Sequence, residues 1–186
     1  MTEKYIEDPS NARLVDHLYT NYLVLWYSLF SLSALQDIPD RGDVTVGMST
    51  GSKNFKTMFL DQYSDYEEHI RDIAIVTAAR GYLKENFRLT KNYLDECGQL
   101  DRMQNRPWYQ FTRILVNCLS HNMVFDFSTV NPNHLPARYN DYYITEDMDG
   151  TYPPLDFDAE LYINLGDNIR YFVNVNPDLF DTKGKK

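Results

Sequence analysis

Arg113, Asn117 and His121 recur at steps of four in the stretch Arg113-Ile-Leu-Val-Asn117-Cys-Leu-Ser120-His121-Asn122. On an α-helix, with about 100° of rotation per residue, that spacing puts all three on one stripe. A guanidinium, an amide and an imidazole side by side can grip a phosphodiester. The Arg offsets charge that builds on phosphorus, and the His carries protons between a ribose 2′-hydroxyl and the leaving oxygen. That reaction needs no metal. The same residues also read without chemistry, with Asn117 and His121 as satisfied polar groups tying their helix to a neighbour.

A second polar pattern lies upstream. Arg80, Lys84, Arg88 and Lys91 follow at steps of four, four and three, so a continuous helix displays them as one ridge. They fall in the basic part of the chain. Residues 1–70 hold 5 Lys+Arg against 11 Asp+Glu, residues 71–113 hold 8 against 5, and residues 114–186 hold 5 against 11. The three nets are therefore −6, +3 and −6, within an overall −9. Such an acidic balance disfavours nonspecific coating of nucleic acid, which depends on neutralising phosphates with Lys and Arg. The ridge reads either as a solvated helix face or as a local set of phosphate contacts.

Other chemistry is thinly represented. Cys97 and Cys118 are isolated thiols without C-x-x-C spacing, and His17, His69 and His134 make no ligand pairs with them. No metal or cofactor is expected. The run from Thr145 to Asp156 has acids at some calcium-loop positions, but Thr145 opens it and the flanks are poor helix formers, so it reads as an exposed acidic turn. The segment from Asp40 to Asn54 contains Gly42, Gly47 and Gly51 yet lacks the G-x-x-x-x-G-K-[ST] order, and reads as a connection.

The elements that must position these residues follow from periodicity. Leu14, Leu18, Tyr22, Leu25, Leu29 and Leu32 mark a first helix between Asp8-Pro9 and Asp37-Ile38-Pro39. Trp26 and Phe30 widen its stripe enough to meet several neighbours or a partner subunit. A second helical pattern runs from Phe55 through Ile70, Ile73, Tyr82, Phe87 and Leu94 to a stop at Gly98, with Gly81 as a point of division. A third runs from Asn105-Arg106-Pro107 to about Met123, with Ile114, Leu115, Cys118 and Leu119 inward. Tyr142-Tyr143-Ile144 and Tyr152 read as a hairpin around Asp149-Gly150, and Leu155 to Val173 as a last helix with Gly166 as its weak point. The tail from Asp181 to Lys186 reads as frayed.

With 43% hydrophobic residues, 15 Tyr and 10 Phe, a chain of 186 residues has ample material for one core. The expectation is one all-α domain over residues 1–186, an up-and-down helical bundle of four to five helices with a small β-hairpin near residues 142–152. The uncharged run from Leu18 to Gln36 is interrupted by Thr, Asn, Ser and Gln, which favours a buried helix over a membrane span. A cytoplasmic location is expected from the missing export signal and the two unpaired thiols.

The stretch Val116-Asn117-Cys118-Leu119-Ser120-His121-Asn122, late in a helical chain and followed by a hairpin and a last helix, resembles the HEPN superfamily. That family's motif is Arg, a polar residue, three variable residues, then His. By position Asn117 takes the polar slot and His121 the His slot, while Val116 stands where the family has Arg. Arg113, one turn earlier, takes up the cationic role by helical geometry rather than by motif. The resemblance implies a helical homodimer with facing motif helices, and a metal-independent endoribonuclease of a toxin or antiviral system. It equally implies an inactive relative that binds RNA or a cognate partner protein.

Overall fold

The structure, a computed structural model, describes residues 11–34 and 67–180. They contain helices α1 (Asn11–Ala34), α2 (Glu67–Glu96), α3 (Leu100–Gln104), α4 (Tyr109–Ser120) and α5 (Ala159–Asn174), with strands β1 (Ala137–Tyr139) and β2 (Tyr142–Ile144) between α4 and α5. The result is the expected all-α bundle with a small hairpin. The outer caps of the first helix, the segments 40–54 and 55–66, and the tail 181–186 lie outside the described residues.

In α1 the expected stripe is the inner one: Leu14, Leu18 and Leu25 are buried, and Tyr22 and Leu29 are half-buried. Trp26 and Phe30 face away from this core, 49% and 70% exposed. The central element is α2, which packs against α1, α5, α4 and α3. Its 30 residues span about 45 Å at about 1.5 Å per residue. Ala79, Tyr82, Leu83, Phe87 and Leu94 make its buried stripe, whereas Ile73 is exposed. Gly81 does not divide it, because an exposed helical glycine weakens a helix without breaking it when flanking turns pack on both sides. The helix stops where Gly98 adopts φ +64°, with Gly98 N–H donating to Asp95 C=O and Gln99 N–H to Leu94 C=O.

Contacts across α2 fix α1 and α5. The Tyr82 hydroxyl donates to Asp167 at 2.7 Å, Arg170 pairs with Asp167 at 3.3 Å, and the Arg170 guanidinium lies 3.9 Å from the Tyr22 ring centroid. The fully buried Asn86 accepts from the Asn21 amide at 3.0 Å and donates to Gly166 C=O at 3.5 Å. Gly166 lies directly against the Tyr82 ring. A Cβ there would stand 2.5 Å from the Tyr82 ring, so the residue read as a weak point in α5 is what lets α5 approach α2.

Three further expectations change. α4 ends at Ser120 rather than near Met123, because Asn122 and Met123 turn into the left-handed region at φ +58° and +63°. The last helix starts at Ala159, capped by Asp158 accepting from Leu161 N–H at 3.0 Å, and Leu155 is fully exposed. The hairpin pairs Tyr142–Ile144 with Ala137–Tyr139 around Asn140 at φ +51°, not with the segment after Asp149-Gly150. That Asp-Gly pair braces the loop after α4 instead. Gly150 N–H donates to Phe125 C=O, Phe125 N–H to Thr151 C=O, and Phe127 N–H to the Asp149 carboxylate, each at 2.9 Å.

Candidate functional site

Because α4 packs on α2, a groove of about 370 Å³ opens between their polar faces. Lys84, Arg88 and Lys91 line it from α2, Arg113 and Asn117 from α4, His121 from the cap that follows α4, and Thr129 and Val130 from the loop beyond. Apart from Arg80, the residues of the two polar patterns read from the sequence therefore share one cleft. Buried Phe87 and Ile114, with half-buried Val116, give it apolar walls. Its size is that of a small-ligand site.

Each side chain is placed by a local cause. α4 buries Phe111, Ile114, Leu115, Cys118 and Leu119, which turns Arg113, Val116, Asn117 and Ser120 toward the groove. Half-buried Arg113 gives only its Nε–H to Gln110 Oε1, at 3.1 Å. Its terminal amino groups make no hydrogen bond among the described residues. His121 is the C-terminal cap of α4, its N–H donating to Asn117 C=O at 3.1 Å and Cys118 C=O at 3.2 Å, and its side chain is exposed. Lys84 Nζ donates to Leu119 C=O at 3.3 Å, so a cation of α2 satisfies an end carbonyl of α4 and holds the last turn against the groove.

The cations are not equivalent. Arg88 is paired bidentately with Glu85, at 3.0 Å and 2.5 Å. This pairing holds the Glu85 carboxyl below its ordinary pKa despite some desolvation. Lys91 is exposed and meets no acid among the described residues. Arg80 does not line the groove. One turn back from Lys84, α5 packs on the ridge: the Arg80 guanidinium carbon lies 5.3 Å from the Tyr162 ring centroid, and its Nε is buried with no acceptor among the described residues. Its charge partly offsets the burial that pushes the Cys118 thiol up to about 11.

Several groove residues were not singled out from the sequence. Glu85 was legible as the i,i+3 partner of Arg88. Asn92, Thr129 and Val130 were not, because they enter through tertiary packing. Near His121 stands Asp126, whose carboxylate accepts from Ser128 N–H at 2.9 Å. Hydrogen bonds from Ser128 hold its pKa low, with a smaller contribution from His121. Of the other histidines, His17 is exposed and His134 half-buried, and among the described residues no three His, Cys, Asp or Glu side chains gather as a metal site. Glu146, Asp147 and Asp149 lie on an exposed turn.

Among the described residues no helix is long and apolar enough to cross a membrane. No family model matches the chain, and neither the curated proteins nor the solved structures compared with it give a significant match.

Proposed function

We propose that the protein acts on RNA, holding a phosphodiester in the α2/α4 groove and cleaving it without a metal ion. The observation that carries this reading is that exposed His121 lines one groove with Arg113, Asn117, Arg88 and Lys91. A sealed imidazole, or one far from any guanidinium, would leave only a scaffold. On this reading the 2′-oxygen attacks phosphorus as His121 removes its proton, the bond to the 5′-oxygen breaks, and that oxygen takes a proton back. The products are a 2′,3′-cyclic phosphate and a 5′-hydroxyl. Arg113 stabilises the charge on the phosphoryl oxygens, Asn117 orients the diester, and Lys91 and Arg88 hold the flanking backbone.

The homodimer implied by the HEPN resemblance belongs to the same proposal, with two copies of His121 approaching one substrate. The second reading, an inactive HEPN-like module that binds RNA or a partner protein, is favoured by one observation. Val116 lines the groove where that motif has its Arg. RNA incubated with pure protein in EDTA separates the two. Cleavage by the natural protein, lost in His121→Ala with an unchanged unfolding temperature, supports the enzyme; no cleavage of varied RNAs by either supports the module.

A further inference from the structure

Glu85 is the only acid among the described residues that line the groove, and it sits among Lys84, Arg88, Lys91 and Arg113. Lys84 is engaged with the Leu119 carbonyl, which leaves three guanidinium or ammonium groups to meet an incoming anion. One of these, Arg88, already presents its planar fork to the Glu85 carboxylate through both Nε and Nη2. A phosphate fits the same fork in the same bidentate way, so carboxylate and phosphate compete for it. The two side chains are 59% and 43% exposed, and an ion pair that open to water is weakly held.

We infer that Glu85 determines which anions the groove retains, by competing with phosphate for Arg88. The inference rests on the reading of the groove as a phosphodiester site and adds a specificity-determining residue to it. A single small anion that displaces Glu85 gains one guanidinium and acquires a carboxylate as its neighbour. A chain of phosphates reaches Lys91 and Arg113 at the same time, and the further contacts outweigh that repulsion. Glu85 thus makes the groove selective for a polyanion over an isolated phosphate. While it is paired with Arg88 its carboxyl is held below the ordinary pKa, with His17 and Lys84 adding to the effect.

The test is fluorescence anisotropy with a labelled, uncleavable 2′-O-methyl uridine oligonucleotide over a series of KCl concentrations, with inorganic phosphate as competitor. Glu85→Gln keeps the shape and removes the charge. It is expected to bind the oligonucleotide about three- to tenfold more tightly at low salt, as removal of one close like charge allows. Its plot of log affinity against log salt should steepen by about 0.7, the value of one added phosphate contact on a single strand. Inorganic phosphate should compete better against this variant than against the natural protein, and the double change Glu85→Gln, Arg88→Gln should lose the gain. Equal binding by the natural protein and Glu85→Gln, while Lys91→Gln and Arg113→Gln weaken it, overturns the role of Glu85 and leaves the groove reading intact. Absence of salt-dependent binding in both overturns the two together.

Discussion

Arg113 lines the groove from α4 and His121 from the cap that follows it, and each is the kind of side chain that can be tested by charge and shape separately. Arg113→Lys keeps the charge but loses the planar fork, and loss of one donor to a developing oxyanion typically lowers turnover about 10²- to 10³-fold. Arg113→Lys is therefore expected to bind a labelled oligonucleotide nearly as well as the natural protein while cutting it at least tenfold more slowly in single-turnover assays. Cys118 makes a different prediction. Burial raises its thiol from an ordinary value near 9.0 to about 11 in the folded chain. The folded state therefore keeps its proton longer than the unfolded state, and this contribution to stability is full below about pH 9 and is lost as the pH rises toward 11. Urea melts of the natural protein should show stability falling across that window, and Cys118→Ala should flatten the fall. At this scale the sequence was informative where placement follows helical spacing, as for Arg113 and Asn117 on the groove face of α4, whereas His121 reaches the groove as the cap beyond that helix. It misled at Arg80, because the ridge arithmetic contains no knowledge that Tyr162 of α5 packs on that turn.

Elements were legible in proportion to how much of their determination is local. The stripes of α1, α4 and α5 and the stop at Gly98 follow from periodicity and from the left-handed conformation a glycine tolerates. The hairpin partner was not legible, since Ala137-Arg138-Tyr139 is a short strand held by tertiary contacts. The Phe111 ring centroid lies 5.9 Å from that of Tyr139 and 5.7 Å from that of Phe157, whose ring meets Tyr142 edge-on at a centroid distance of 5.7 Å. Two predictions belong here. Asp158→Ala removes the side chain that caps α5 and should cost about 0.5–2 kcal/mol in thermal or urea melts, with the groove unaffected. Gly166→Ala pushes a methyl into the Tyr82 ring, which is held in place by Asp167. The overpacking, about 1–3 kcal/mol, should outweigh the better helix propensity of Ala. Pairing it with Tyr82→Leu should recover part of that loss, and the non-additivity in a double-mutant cycle would report the contact.

Over the whole molecule, two acidic flanks of net −6 enclose a middle segment of net +3, and folding gathers that segment's Lys84, Arg88, Lys91 and Arg113 around one cleft. An overall acidic protein can in this way present a local cationic site, with repulsion from the remaining surface limiting nonspecific contact with nucleic acid. Binding is accordingly expected to weaken steeply as salt rises, with Lys91→Gln lowering affinity uniformly across RNA sequences. The most direct test is where RNA touches the protein. Photocrosslinking with 4-thiouridine RNA followed by peptide mapping should place crosslinks in the peptides that contain Lys84 to Asn92 and Arg113 to Val130. Crosslinks confined to the hairpin and the outer face of α5, around Tyr143 and Tyr171, would contradict the groove as the site of RNA action.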